Sequence, residues 1–150
     1  GVSGTLAPVD APMSPSITVW YDHLSGDPDP ADTKLAAFDT LFATNHKFYG
    51  QIDMALFQFG GLGNDQRGLQ DAAVKLAAKP TDRISSNLDF HIFLPSADQG
   101  GDALIAEEVD AWIGVKATEG LKIGAGAAVW LPAYDADADM WGWLQLDAKL

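Results

Sequence analysis

Acidic and histidine side chains recur at a spacing of two residues in this chain. Asp89 and His91 form one such pair, and Glu108 and Asp110 form another. On a strand, that spacing puts both members on one face. A histidine oriented by a carboxylate is the base of a serine hydrolase, but no serine is placed at matching depth on a neighbouring strand. We therefore predict a polar wall without catalytic residues, and a protein that is not an enzyme.

Aspartates alternate with other residues in two loop-like stretches, within residues 27–32 and 135–139. Clustered carboxylates on turns are ligands that Ca²⁺ accepts. Neither stretch has the Gly at position six or the acid at position twelve of an EF-hand loop, so solvated loop aspartate is the favoured alternative. We expect no cofactor unless calcium is bound by four side chains: Asp27, Asp29, Asp135 and Asp137.

Four of the five tryptophans share the parity of the charged residues in their segments. These are Trp112, Trp130, Trp141 and Trp143. An indole ring offers a broad apolar face and one N–H donor, so this parity is compatible with stacking surfaces for sugars in a channel. Structural packing is the favoured alternative.

Strict alternation indicates the elements that carry these side chains. In residues 121–131, Leu, Ile, Ala and Val occupy one parity, while Lys, Gly, Ala and Trp occupy the other. Such a pattern predicts a strand with two different faces. The same pattern predicts seven strands in all, within residues 16–23, 48–57, 71–78, 87–94, 108–117, 121–131 and 140–150.

Charged residues concentrate on one parity of these strands, and the other parity is apolar almost throughout. An apolar face in contact with lipid would explain the apolar parity, and a lumen with both signs of charge would explain the charged parity. We therefore expect an all-β, antiparallel, up-and-down transmembrane β-barrel. Its predicted pore-lining residues are Asp53, Asp71, Lys75, Asp89, His91, Glu108, Asp110, Lys116, Lys122 and Asp147.

Composition limits the remaining classes of protein. A chain of 150 residues suits one domain, and none of its apolar runs reaches the roughly 18 residues of a spanning helix. The first residues lack the basic and apolar regions of a signal peptide. A formal net charge of −12 disfavours nucleic acid as a partner, and the absence of cysteine excludes disulfides.

One long loop interrupts the alternation, at residues 24–46. Its apolar residues have helical spacing, and Asp32 could cap a short helix over residues 33–42. We expect this helix to form a constriction at the channel mouth, with a loop anchor as the equal alternative. The constriction residues would be Leu35, Phe38, Leu41 and Phe42.

The residues of this loop resemble the carboxy-terminal part of the alginate-export family of outer-membrane porins. They include Ser25-Gly26-Asp27 after an aromatic strand, the patch at 38–42 (FDTLF), and the segment at 45–53 (NHKFYGQID). The resemblance implies a channel of many antiparallel strands for anionic polysaccharide or other small solutes. The family's basic pore is not matched, because arginine occurs only at Arg67 and Arg83. The porin class is therefore carried over without alginate as its solute.

Two geometrical points accompany this prediction. Seven strands do not close a bacterial barrel, which has at least about eight, so further strands or other chains must complete the wall. Counting seven strands back from a periplasmic C-terminus also puts the long loop on the periplasmic side, whereas its length favours the outside.

The predicted function is an outer-membrane porin that passes small solutes or oligosaccharides by diffusion. Its partners would be membrane lipid and those solutes, and its location the bacterial cell outer membrane. A soluble β-sandwich or lipocalin-like ligand-binding protein is the alternative.

Overall fold

The computed structural model describes residues 1–41, 48–55, 66–101, 103–133 and 137–149. Seven strands in these ranges form one sheet, and each pairs antiparallel with the next along the chain. They are β1 (Val2–Leu6), β2 (Ser16–Leu24), β3 (Leu69–Thr81), β4 (Ile84–Leu94), β5 (Ala106–Thr118), β6 (Leu121–Pro132) and β7 (Asp139–Ala148). The expected antiparallel up-and-down order is confirmed. The sheet is not closed, since no pairing joins β1 to β7 in the described ranges.

The predicted strand over residues 48–57 is wrong for its described part, residues 48–55. These residues form turns and bends, and the last two are helical. Gly50 and Asp53 have φ angles of +82° and +64°, which an extended strand does not adopt. The apolar side chains of Phe48, Ile52 and Met54 pack against the buried core, so their spacing reflects core packing. Residues 56 and 57 lie outside the described ranges.

Strand β1 was not predicted, although it pairs with β2 along its whole length from Val2 to Leu6. Its apolar parity consists of Val2, Gly4 and Leu6, so glycine interrupts the alternation that identifies a strand. It is also the shortest of the seven strands.

The predicted helix over residues 33–42 is wrong for residues 33–41, which contain no helix. Aspartate side chains instead accept hydrogen bonds from backbone amides two residues further on, in the pairs Asp29–Ala31, Asp32–Lys34 and Asp39–Leu41. Such local bonds compete with helical hydrogen bonds. Phe42 lies outside the described residues. Within those residues, no helix has both the length and the apolar character needed to cross a membrane.

The connections emerge at two ends of the sheet. Residues 25–68, 95–105 and 133–138 join strands at one end, which we call the long-loop end. Residues 7–15 and the tight turns at 82–83 and 119–120 join strands at the other, the short-turn end. Because residues 48–55 are not a strand, the longest loop shares an end with the other long connections. The conflict in the predicted strand count is thereby removed.

The strand register assigns side chains to two faces. Directly opposed pairs such as Lys75 and Asp89, or Asp89 and Asp110, place the charged parity on one face, the polar face. The other, the apolar face, is exposed on all seven strands. Its side chains that are at least 38% exposed include Val2, Leu6, Ile17, Val19, Tyr21, Val74, Leu76, Leu88, Phe90, Ile113, Val115, Ile123, Leu131, Met140, Leu144 and Leu146.

The buried core lies on the polar face, near the long-loop end. It consists of strand residues, residues of the connections, and part of residues 48–55: Leu24, Tyr49, Ala55, Leu69, Phe93, Ile105, Ala106 and Trp130. The sheet is therefore inverted relative to a usual soluble sheet, because its apolar face is open and its polar face is partly covered by the chain itself.

Candidate functional site

Residues 48–55, which we call the inner segment, cover the polar face at the long-loop end. At the start of the segment, the ring of Phe48 stacks on Trp20 of β2, with centroids 5.7 Å apart. The Tyr49 hydroxyl donates a hydrogen bond of 2.5 Å to Asp22 Oδ2, also on β2. These two contacts fix the beginning of the segment on one side of the polar face.

Glu108 of β5 holds the middle of the inner segment. Its Oε1 accepts hydrogen bonds from the backbone amides of Gln51, at 2.6 Å, and Ile52, at 3.0 Å. Gly50 lies so close that a Cβ atom there would be 2.5 Å from the Glu108 carboxyl group. The fully buried Glu108 side chain therefore serves as a backbone anchor, since a buried carboxyl group needs hydrogen-bond partners to offset its lost hydration.

The ionisation of Tyr49 depends on the acidic residues of the polar face. Burial is the largest cause that raises the pKa of Tyr49, and its hydrogen bond to Asp22 adds to the rise. Both favour the neutral phenol, because ionisation would bury a second negative charge beside Asp22.

A buried pair and an aromatic stack run across the sheet beneath this segment. Asp71 Oδ1 lies 2.9 Å from His91 Nδ1, and both side chains are fully buried. The His91 ring stacks on Phe93, and Phe93 stacks on Trp130, with centroids 5.5 and 5.4 Å apart. This geometry orients an imidazole, but no serine among the described residues is hydrogen-bonded to it. The contacts are those of a packed wall.

Lys75 lies next to these buried residues, toward the open part of the polar face. Its Nζ lies 3.6 Å from Asp89 Oδ2 and 5.9 Å from the centroid of the Trp20 ring. Both side chains of the ion pair are partly exposed, so salt in the surrounding water would screen the pair.

Two tryptophans pack against glycines in the middle of the polar face. A Cβ atom on Gly126 would be 2.1 Å from the Trp143 ring, and one on Gly114 would be 2.3 Å from the Trp112 ring. The register places Gly126 directly opposite both tryptophans, on either side. A cavity of about 240 Å³ lies beside the rings and is lined by Gln51, Asn87, Asp89, Asp110, Trp112, Trp143 and Gln145.

A larger open cavity of about 880 Å³ lies at the short-turn end. Positive side chains in its lining outnumber negative ones. The positive ones are Lys79, Arg83, Lys116, Lys122 and Lys149, and the negative ones are Asp82, Glu119 and Asp147. Near the inner segment the polar face is acidic instead, with Asp22, Asp71, Asp89, Glu108 and Asp110 set against Lys75.

The structure places nine of the ten predicted wall residues together on the polar face. These are Asp71, Lys75, Asp89, His91, Glu108, Asp110, Lys116, Lys122 and Asp147. The tenth, Asp53, belongs to the inner segment. Three of the nine, Asp71, His91 and Glu108, are fully buried.

The predicted constriction residues lie elsewhere. Leu35, Phe38 and Leu41 are each more than half exposed, and the backbone near them is held by Ser25, whose carbonyl accepts from the Phe38 amide. Phe42 is outside the described residues. Sequence reasoning thus missed the inner segment as the cover of the polar face, although residues 48–53 (FYGQID) are part of the motif that carries the family resemblance.

Two of the predicted calcium ligands, Asp27 and Asp29, accept hydrogen bonds from nearby backbone amides. Asp27 is buried, and its carboxylate accepts hydrogen bonds from the amides of Asp29 and Ala36. In the described ranges, no three His, Cys, Asp or Glu side chains group closely enough to hold a metal ion. Asp135 lies outside those ranges, and calcium binding stays a prediction.

Comparisons with known proteins give no relative. No family model matches the chain, no curated protein matches it significantly, and no solved structure does so either. The resemblance to the alginate-export family therefore stays a prediction from the loop motifs.

Proposed function

We propose that this chain forms part of the wall of a bacterial outer-membrane β-barrel porin, through which small solutes or oligosaccharides pass by diffusion. The observation that carries the proposal is the inverted sheet. Its apolar face is exposed on every strand, while its charged face is partly covered by the inner segment.

Exposed apolar area on this scale has a cost in water. Soluble monomers rarely expose a contiguous apolar patch larger than a few hundred Å², and here the patch extends over seven strands. On the apolar face, Ile123 is 47% exposed and Leu144 is 86% exposed. Contact with hydrocarbon removes that cost, since a lipid-facing band of alternate apolar residues is what a membrane barrel presents.

Strand length and loop placement support the same proposal. Strands β3 to β6 contain 11 to 13 residues, and a tilted strand needs about 9–11 residues to span a membrane. Both tight turns lie at one end of the sheet and the two longest connections, 25–68 and 95–105, lie at the other, as on the periplasmic and outer sides of such barrels. The long loop would then face outward.

The inner segment would narrow the channel. It crosses the polar face from Trp20 and Asp22 on β2 to Glu108 on β5, so part of the lumen near the long-loop end is filled by protein. Solutes would be selected by the remaining width and by the charges of the wall. No reaction is required of Asp89, His91 or the other wall residues.

Completion of the barrel would need more strands. Among the described residues, β1 and β7 are the edge strands of the sheet, and the outward backbone donors and acceptors of an edge strand need partners in lipid. We propose that further strands, from a longer chain or from other chains, pair with both edges.

Fractionation of the expressing cells tests the membrane location. We expect the protein in the outer-membrane fraction after washes with carbonate and urea, with detergent needed for its release. Recovery in buffer as a dispersed protein would overturn the proposal and favour the soluble ligand-binding alternative.

Conductance in planar bilayers tests the channel. We expect steps of current with a cation preference, because Asp89 and Asp110 lie beside a cavity on the polar face. Replacement of both by Asn should lower that preference. An unchanged reversal potential in the double variant would contradict the assignment of these residues to the wall.

A further inference from the structure

The cavity between the inner segment and the two tryptophans has features of a binding site. It measures about 240 Å³ and lies on the polar face, with the inner segment residue Gln51 in its lining. Small-molecule sites combine a few apolar or aromatic surfaces with a small number of placed polar groups. Trp112 and Trp143 supply the first, and the side chains of Asn87, Asp89, Asp110 and Gln145 supply the second.

Three glycines beside the rings set the position of both indoles. A side chain at Gly114 or Gly126 would overlap the Trp112 or Trp143 ring respectively, and one at Gly124 would lie 3.0 Å from Trp112 Nε1. Without Cβ atoms at these positions, both rings lie close to the strand backbone and leave room above it. The three glycines on β5 and β6 thus accommodate the indole rings, and the cavity lies beside those rings.

One polar group in the lining is buried and lacks a donor on one oxygen. Asp110 is only 6% exposed, and its Oδ1 has no hydrogen-bond partner among the described residues. A buried acceptor without a donor is costly, and a hydroxyl or ammonium group of a ligand would supply that donor.

We propose that this cavity is a saccharide subsite, in which Trp112 and Trp143 contact the apolar face of one pyranose ring and the polar side chains bind its hydroxyl groups. The ligand class is a neutral or amino sugar. Asp89 and Asp110 would repel the carboxylate of a uronic acid, and they would attract an ammonium group. This inference rests on the proposed function, because the saccharide would be the solute in passage.

Isothermal titration calorimetry of the full chain in detergent micelles tests the subsite. Three trisaccharides serve as probes: glucosamine trimer, maltotriose and mannuronate trimer. We expect saturable binding of the first two, and binding of the mannuronate trimer weaker by at least about tenfold because of like-charge repulsion. Equal binding of all three would overturn the assigned ligand class.

Matched variants identify the residues that bind. Trp112→Ala and Trp143→Ala should each weaken binding by roughly tenfold, since each removes an aromatic contact surface. Trp141→Ala is the control, because Trp141 shares strand and face with Trp143 but is 55% exposed and is not part of the cavity lining. The Trp141→Ala variant should bind the saccharides with the affinity of the parent protein. Equal affinities in all three variants would overturn the subsite.

Gly126→Ala tests whether binding depends on the position of the Trp143 ring and not only on its presence. It retains every tryptophan, but its new methyl group would displace the Trp143 ring, so weaker binding is expected. Circular dichroism checks that each variant keeps its strand content. Should Gly126→Ala fold poorly, Trp143→Phe replaces it, and partial recovery of affinity relative to Trp143→Ala is expected. Unaltered binding in a folded Gly126→Ala variant would contradict the proposal.

The bilayer measurement distinguishes the two proposals. Channels that conduct but bind none of the probes would overturn the subsite and leave the porin proposal standing. Saccharide binding by a protein that neither conducts nor requires detergent would retain the subsite and overturn the porin proposal.

Discussion

Single residues hold the inner segment, and Glu108 makes two of its contacts. Its Oε1 accepts from the amides of Gln51 and Ile52. We expect Glu108→Ala to lower the free energy of unfolding by about 2–4 kcal/mol, because two backbone amides inside the protein lose their hydrogen-bond acceptor. Glu108→Gln retains a carbonyl oxygen and should lose less. Urea titration of both variants in lipid vesicles, followed by tryptophan fluorescence, measures the difference. Equal losses would contradict the anchoring role.

Gly50 permits a second prediction at the same scale. Its φ of +82° lies in the left-handed region, and a Cβ atom would meet the Glu108 carboxyl group at 2.5 Å. Gly100 has a similar φ of +73°, with open space around it. Gly100→Ala should therefore lower the free energy of unfolding by about 1 kcal/mol, from backbone strain alone. Gly50→Ala should lower it by clearly more. The same urea titrations report both values, and matching losses would show that Gly50 is not packed against Glu108.

Individual side-chain positions were predicted from the sequence to an unequal degree. The shared face of Asp89, Glu108 and Asp110 followed from their parity, because side-chain direction on a strand alternates strictly. The partners of Glu108 did not follow, since they are backbone amides, and every non-proline residue carries one. The positive φ of Asp53 also left no trace in the residue type.

At the scale of elements, the inner segment depends on the neutral phenol of Tyr49. Burial and Asp22 raise the pKa of Tyr49, so the folded protein resists an ionisation that the unfolded chain undergoes near pH 10. This stabilisation is complete below about pH 10 and is lost as the pH rises toward the higher value of the folded state. We expect unfolding free energies measured from pH 8 to 12 to fall less steeply in Tyr49→Phe than in the parent. Parallel curves would contradict the coupling.

Elements were predictable where one physical constraint acted on a whole segment. Strands β5, β6 and β7 alternate because each separates two different environments along its length. The apolar residues from Phe48 to Met54 have similar spacing for a different reason, since their side chains pack against a local core. In residues 25–41, aspartates form side-chain turns where helical spacing suggested a helix. Competition between local hydrogen bonds and periodicity is not visible in the pattern itself.

For the molecule as a whole, the inverted sheet joins these local features into one arrangement. Acidic side chains such as Asp71 and Glu108 are buried on the face that the inner segment partly covers, and their strands consequently turn Leu, Ile and Val outward. Parity predicted the two faces. It could not predict which face is covered, because that depends on a loop reaching across four strands, from β2 to β5.

Two substitutions at neighbouring residues test whether the apolar face contacts hydrocarbon or water. Leu144 lies on the apolar face of β7 and is 86% exposed, whereas Gln145 lies on the polar face opposite Gly124. In water, Leu144→Lys at so exposed a position should alter stability by less than about 0.5 kcal/mol. Against hydrocarbon, a lysine near the bilayer midplane costs about 2–4 kcal/mol, and a lumen substitution changes selectivity instead.

We therefore expect Leu144→Lys to be destabilised by about 2 kcal/mol or more in urea titrations from lipid vesicles. Gln145→Lys should keep its stability and lower the cation preference in bilayer recordings, because it adds a positive charge beside Asp89 and Asp110 in the cavity lining. The two variants add the same charge one residue apart, so differences in charge or strand propensity cancel. A stable Leu144→Lys protein would place the apolar face in water or against polar protein, and the membrane assignment would then fail.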